Sequence, residues 1–128
     1  MEEAAERRGL PVSSVIKSIV VRRAEGEHVF VLVPGDRVID WAKLRTHLGE
    51  RRLSMTDADE ALAITGYVRG TITPLGSSSP LPVVVDRLLA SGPVSIGAGA
   101  AGVSVTLGGE SLVRILEAEV ADVTKPRG

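Results

Sequence analysis

The chain contains no cysteine, and only three of its 128 residues are aromatic. Without cysteine it can form neither disulfide bonds nor zinc sites built on thiolates. The aromatic residues are Phe30, Trp41 and Tyr67. Three rings are too few for the stacking platforms of proteins that bind single-stranded nucleic acids, so this class of protein is disfavoured.

An excess of charge of either sign is also missing, because 15 basic residues face 16 acidic ones. This balance argues against tight, non-specific binding of nucleic acids, which depends on many phosphate contacts, but it leaves transient contact with one RNA end open. No apolar run is long enough to span a bilayer, and the charged N-terminus lacks the apolar region of a signal peptide. We therefore expect a cytoplasmic protein.

Familiar catalytic motifs are absent as well. The only histidines are His28 and His47, and the chain has no HExxH sequence, nucleophile elbow or Walker loop. Gly97, Gly99 and Gly102 approximate a GxGxxG motif, but they fall between two predicted strands and not at a strand-to-helix turn. That context argues against a dinucleotide site. We predict no metal and no cofactor.

The apolar fraction of 44% is typical of a globular domain. Turn residues and apolar periodicity predict helices at 2–8, 41–48, 57–64 and 110–117, and strands at 15–21, 28–33, 83–85, 94–96, 103–107 and 119–123. Their irregular order predicts one α/β (α+β) domain over residues 1–128, with a mixed, curled sheet or partial barrel surrounded by helices. The predicted N-caps are Asp40 and, in a capping box with Asp59, Thr56. We expect the tail at 124–128 to be loose.

Lys17 is unusual because the chain has only three lysines and this one lies within an apolar strand. Strand alternation places it on the same face as Val15, Ile19 and Val21. Its ammonium must therefore lie at a cleft, pair with another group or extend along the strand to reach water. A functional and a structural role both remain open on these grounds.

A second candidate is the segment at 70–74, within a long stretch rich in glycine, proline and serine. Glycine lets a ligand approach the backbone closely, and proline restricts the turn. Long loops inside compact domains are often functional. By itself, however, this segment could equally be an ordinary surface loop.

Taken together, these segments resemble the YbaK/ProX family of aminoacyl-tRNA deacylases, which also occur as the editing insertion of bacterial prolyl-tRNA synthetases. The resemblance covers residues 2 to about 123, in the family's order. The matching segments are EEAA with GLP at 2–11, VIKSIVV at 15–21, LVPGD at 32–36, TGYVRGTITPLG at 65–76, LPVVVD at 81–86 and GAAGVSVTL at 99–107.

The resemblance implies hydrolysis of a mischarged amino acid from tRNA by positioning of the ester and a water, without a catalytic triad or metal. Lys17 would hold the acceptor end or polarise the ester carbonyl, and backbone groups around Gly70 would orient the substrate. The implied partners are the tRNA acceptor end, bound weakly and transiently, and an aminoacyl-tRNA synthetase as a further candidate. The implied substrate-binding residues are Ser18, Thr71, Ile72, Thr73, Pro74, Gly97, Gly99, Gly102 and Ser104.

Two departures from the family bear on the pocket. Family members usually begin with a further N-terminal segment that walls the amino-acid site, so we expect a pocket that is open on that side or completed by other residues. Ala100 and Ala101 replace residues that are often polar or basic, and Ser104 stands where some relatives have an acidic residue. These differences concern the amino acid accepted more than the fold.

Other functions remain open at this stage. The chain could be a module that binds an aminoacyl group, a tRNA end or a synthetase without turnover, or an unrelated sensor of small molecules. The pairs at 7–8, 22–23 and 51–52 are candidate phosphate contacts, although arginines at a surface are as often simply solvated.

Overall fold

The computed structural model describes residues 2–23, 26–67, 72–75, 81–100 and 102–127. Four helices and nine strands are defined within these ranges. The helices are α1 (Glu2–Arg8), α2 (Trp41–Leu48), α3 (Ala58–Thr65) and α4 (Gly109–Leu116). The strands are β1 (Ile16–Arg22), β2 (His28–Pro34), β3 (Arg37–Ile39), β4 (Ser54–Met55), β5 (Val83–Asp86), β6 (Pro93–Gly97), β7 (Ser104–Gly108), β8 (Glu119–Ala121) and β9 (Thr124–Pro126). Short 3₁₀ turns occupy Val12–Ser14 and Arg87–Leu89.

The main sheet has five strands in the order β4-β1-β2-β5-β8. The β1–β2 and β1–β4 pairs are antiparallel, whereas β2–β5 and β5–β8 are parallel. Two further sheets of two strands each are formed by β3 with β9 and by β6 with β7. A bridge between Val15 and Ser95 brings β6 beside the start of β1. The mixed α/β fold expected from the sequence is confirmed, and in the described part of the chain the strands do not close into a barrel.

Apolar side chains pack on both faces of the main sheet, following the alternation of its strands. One face carries Ile16 and Val20, and it packs against β6, α4 and the turn at Arg87–Leu89. The other carries Ile19 and Val21, and it packs against α2. Alternate residues of β1 therefore face two different apolar clusters, one on each side of the sheet. The position of a polar residue in β1 determines the side on which its side chain lies.

Residues next to one another in the sequence define several helix ends, including the predicted N-cap at Asp40. Asp40 and Asp86 accept backbone N–H groups at the starts of α2 and of the turn at Arg87–Leu89. Gly49 and Gly66 end their helices with a left-handed backbone, at φ of 69° and 81°. These features depend only on neighbouring residues, so they could be predicted.

The predicted capping box at Thr56 and Asp59 is wrong. Asp57 is the N-cap of α3, and its carboxylate accepts the backbone N–H of Glu60. Thr56 instead donates its hydroxyl to the Val20 carbonyl at 3.2 Å. A contact with a distant strand therefore replaces the local cap that the pattern suggested.

The tail is ordered rather than loose. Its strand β9 pairs with β3, and Thr124 is fully buried. The Arg37 side chain donates to the hydroxyl and the carbonyl of Thr124, and Arg127 donates to the Gly35 carbonyl at 2.9 Å. The last predicted strand, at 119–123, correspondingly ends at Ala121. Among the described residues, no helix combines the length and the apolar character needed to cross a membrane.

Candidate functional site

One edge of β1 is only partly covered. At its end, Val21 and Arg22 pair with β4, and just before its start Val15 meets β6. Between these points no described strand pairs with this edge. The gap leaves backbone hydrogen-bonding groups of β1 facing a pocket.

The direction of these groups follows from two hydrogen bonds. Phe30 donates its backbone N–H to the Pro82 carbonyl. This N–H therefore points away from β1 and toward β5. Val20, the partner of Phe30 in β1, correspondingly presents its carbonyl to Thr56 at the outer edge. Because strands alternate with a period of two, Ser18 also directs its N–H and C=O outward. One backbone donor and one backbone acceptor of Ser18 therefore face the gap.

The gap opens into a pocket of about 320 Å³. Its walls come from β1, from the start of α3, from the segment at 72–75 and from the β6–β7 turn. Most lining side chains are small or apolar, and they leave room for a ligand beside the backbone. The lining includes Ser18, Ala58, Ala61, Ile72, Gly97, Gly99, Ala100, Gly102 and Val103. Five of the nine predicted substrate-binding residues, namely Ser18, Ile72, Gly97, Gly99 and Gly102, are thus brought together.

Tyr67 joins two walls of this pocket. Its hydroxyl donates to the Leu75 carbonyl at 2.5 Å, and its ring packs on Gly99. A Cβ at Gly99 would lie 2.7 Å from the ring, and the φ of +91° also disfavours a larger residue. Glycine at this position therefore permits the contact between the 72–75 segment and the β6–β7 turn. The sequence analysis counted Tyr67 as a scarce aromatic residue and included it in the matching segment at 65–76, but gave it no role in the site.

Lys17 also lines the pocket, but its ammonium donates to the backbone carbonyl of Arg37. By strand alternation its side chain lies on the face of Ile19, opposite that of Ser18. Partial burial, and secondarily the Arg127 guanidinium, lower the pKa of Lys17 from its usual 10.5, while Asp36 opposes this shift. The ammonium is thus held by a carbonyl oxygen at the β2–β3 turn.

The other predicted site residues are distributed differently. Thr73 is fully buried, and its hydroxyl accepts the Leu75 N–H at 3.3 Å. Pro74 and Ser104 are half-buried and do not line the pocket, and Ser104 pairs with Gly97 in the β6–β7 hairpin. Gly70 and Thr71, like Ala101, lie outside the described residues.

Three charged side chains line the pocket, and sequence reasoning assigned only Lys17 to it. The others are Arg8, which donates to the Ser95 hydroxyl at 3.1 Å, and Asp57 at the N-terminus of α3. The pairing of Arg8 with β6 is a long-range contact that no local pattern predicts. Within the described part of the chain, no three histidine or carboxylate side chains are grouped to hold a metal ion.

The sequence and the fold resemble those of proteins named as editing enzymes. The chain is similar to the protein in a structure described as "Crystal structure of a putative trans-editing enzyme for prolyl tRNA synthetase", with a TM-score of 0.86 and 29% identity over 99% of this chain and 79% of the other. It is also 24% identical to an Enterococcus faecalis protein named "Putative Cys-tRNA(Pro)/Cys-tRNA(Cys) deacylase EbsC", over 96% of this chain and 76% of the relative. The class defined by these matches is that of tRNA-editing domains.

The aminoacyl-tRNA editing domain model matches residues 1–115. The chain therefore belongs to the aminoacyl-tRNA editing domain family. It is also 40% identical, over 84 residues, to a proline–tRNA ligase of Trichlorobacter lovleyi. That match covers 66% of this chain and 15% of the ligase, so the chain spans only a small part of the length of such relatives.

Proposed function

We propose that this chain hydrolyses the ester bond of mischarged aminoacyl-tRNA, acting as a trans-editing deacylase. The observation that carries the proposal is the uncovered edge of β1, where Ser18 directs a backbone N–H and C=O into the pocket. Family membership and the printed names of the two editing relatives support the same reaction.

In the proposed reaction, a water attacks the ester carbonyl carbon. The bond from that carbon to the ribose oxygen breaks, and the ribose hydroxyl leaves with a proton, giving free amino acid and tRNA. An ester is already activated, so positioning the water and stabilising the developing oxyanion can provide much of the acceleration. The Ser18 N–H is a fixed donor suited to that oxyanion. No nucleophilic side chain is required by this route.

We assign the charged groups by complementarity. The α-amino group of an amino acid, with a pKa of roughly 7.7–8.0 in unperturbed chains, carries positive charge at neutral pH and suits the Asp57 carboxylate. Arg8 and Lys17 suit the ester carbonyl or the terminal phosphate. In the free protein Lys17 already donates to a carbonyl oxygen, so the substrate would replace the Arg37 carbonyl. Gly70 remains proposed to orient the substrate.

The pocket's dimensions favour a small amino acid. A volume of about 320 Å³ lies at the lower end of the range for ligand sites, and Ala58 and Ala61 contribute small side chains. Sieving by size is the physical logic of editing, since synthesis sites cannot strongly reject smaller analogues. The name of the Enterococcus relative makes Cys-tRNA(Pro) the first substrate to try.

The test is release of amino acid from a panel of mischarged tRNAs, beginning with Cys-tRNA(Pro), at catalytic concentrations of protein. We expect multiple turnovers on at least one small amino acid and no hydrolysis of Pro-tRNA(Pro). Binding of a mischarged tRNA without turnover would contradict the proposal and favour a non-catalytic binding module. Failure both to bind and to hydrolyse would favour a different small-molecule ligand.

A further inference from the structure

A second cleft, rich in arginine, lies next to the pocket. We define the arginine cleft by five residues, Arg22, Arg23, Arg45, Arg51 and Arg52, which line a space of about 530 Å³ together with Leu53 and Ser54. The arginines come from the end of β1, from α2 and from the segment that precedes β4. Five of the chain's 12 arginines therefore gather in one place although the whole chain is nearly neutral.

Carboxylates neutralise only part of this charge. Glu50 pairs with Arg23 at 3.0 Å, and Glu60 pairs with Arg22 at 3.0 Å while also contacting His28. Arg45, Arg51 and Arg52 have no carboxylate partner among the residues that the structure describes. The cleft thus keeps an excess of about three positive charges, which is suited to an anion carrying several charges.

The arginine cleft adjoins the pocket at β4. Ser54 lines the cleft, and the next residue, Met55, lines the pocket. Consecutive Cα atoms are about 3.8 Å apart, so the two sites meet across β4. A chain-like anion whose end occupies the pocket would have only β4 to pass before it reached the arginines.

We infer that the arginine cleft binds the phosphodiester backbone of the RNA strand whose aminoacylated end enters the pocket. This inference rests on the function proposed above. Guanidinium groups match phosphate oxygens in geometry and charge. Leu53 is the cleft's one apolar lining residue, so the cleft offers charge and hydrogen-bond donors with little apolar surface. It also lacks aromatic rings for base stacking, so we expect recognition of the backbone without regard to sequence.

The experiment compares two double variants with the same change in charge. R51Q/R52Q alters the cleft, whereas R87Q/R114Q alters two exposed arginines outside both sites. Each is assayed on a mischarged tRNA and on the same amino acid esterified to adenosine, which lacks the RNA backbone. Binding of an uncharged acceptor-stem minihelix is measured between 50 and 300 mM salt.

For R51Q/R52Q we expect KM for the tRNA to rise roughly ten- to a hundredfold at low salt, with kcat unchanged. Hydrolysis of the adenosine ester should not change. The slope of log K for the minihelix against log salt should become shallower by about two, one for each lost phosphate contact. R87Q/R114Q should match the wild type in every measurement.

Several results would overturn the inference. If R51Q/R52Q and R87Q/R114Q have the same KM and the same affinity for the minihelix, the cleft does not bind the RNA. If R51Q/R52Q loses activity equally on the tRNA and on the adenosine ester, the arginines act through the pocket. An oligoglutamate peptide that competes as well as minihelix RNA would assign the cleft to an acidic protein. If the wild type hydrolyses no mischarged tRNA, the proposed function fails, and the minihelix slopes still decide whether the cleft binds RNA.

Discussion

The pocket and the arginine cleft lie on either side of β4 and differ in almost every property. The pocket is lined mostly by small and apolar side chains around an uncovered strand edge, where backbone groups of β1 are exposed beside three charged side chains. The cleft is lined by long cationic side chains. Backbone groups are fixed by the sheet and suit chemistry that needs a preorganised site. Long, hydrated side chains adapt to a flexible anion, and their effect falls as salt rises.

This contrast suggests a division of labour. Changes in the pocket should affect the chemical step or binding of the amino acid, and depend little on salt. Changes in the cleft should affect binding of the RNA and disappear at high salt. The following variants test the division, from the largest expected effect to the smallest.

Lys17→Ala should lower kcat on mischarged tRNA and on the adenosine ester alike, by about 10²–10³-fold, which is typical of losing one electrostatic contact to the developing oxyanion. The variant should fold, because the half-buried side chain leaves no large core cavity. Single-turnover rates and thermal unfolding measure the two effects separately. Full activity with a lowered Tm would mean that Lys17 only anchors the β2–β3 turn through the Arg37 carbonyl.

Ser18→Pro should lower kcat roughly a hundredfold while keeping the fold, because proline removes the N–H that faces the gap and breaks no hydrogen bond to β2. Ser18→Ala keeps that N–H and should retain most activity. Ile19→Pro is the structural control, since the Ile19 N–H faces β2 and its loss should unfold the sheet. Circular dichroism and hydrolysis of the adenosine ester report the outcome. An active Ser18→Pro protein would exclude the backbone donor from the mechanism.

Asp57→Asn should raise KM about tenfold, because it removes the carboxylate proposed to bind the substrate's α-ammonium. Asparagine is as good an N-cap as aspartate, so α3 should be unaffected. The matched substrate is an ester with a free α-hydroxyl in place of the α-amino group. Both proteins should hydrolyse it equally, and a loss on both esters would argue against an ammonium contact.

Glu60→Gln should strengthen binding of RNA at the cleft, whereas R51Q/R52Q should weaken it. Removing the carboxylate that neutralises Arg22 raises the positive charge of the cleft, so minihelix RNA should bind about two- to threefold more tightly at low salt. Hydrolysis of the adenosine ester should not change. Affinities at 50 and 300 mM salt check the prediction, and weaker binding at low salt would contradict it.

The smallest effect concerns stability at alkaline pH. Because the pKa of Lys17 is lowered on folding, the unfolded chain holds more protons between that lowered value and 10.5. Below this window the partly buried ammonium is charged, which lowers the free energy of unfolding. As pH rises through the window the ammonium loses its proton, and this destabilisation disappears. Relative to Lys17→Met, the wild type should therefore gain stability across the window in urea unfolding. A wild type that loses stability relative to the variant there would mean that the ammonium is favourably paired.

Local chemistry in the sequence was sufficient for much of this protein. Asp40, Gly49 and Gly66 mark helix ends through contacts with their own neighbours. The apolar, β-branched segments around Lys17 and Val31 predicted the central hairpin, and turn glycines predicted the β6–β7 pair. These features could be predicted because hydrogen bonds and alternation within a few residues determine them.

Only the tertiary structure decided the site. The Thr56 hydroxyl donates to the Val20 carbonyl and does not cap α3. The tail forms a strand because it pairs with β3. The edge of β1 is open at Ser18 because β4 and β6 reach only its two ends. The arginines of the cleft meet because three separate segments converge. Such pairings join residues far apart in the chain, and each depends on which other strands and helices occupy the space. No local pattern contains that information. Strand alternation predicted the face on which Lys17 lies, but the edge at which β1 presents its backbone groups had to be read from the folded protein.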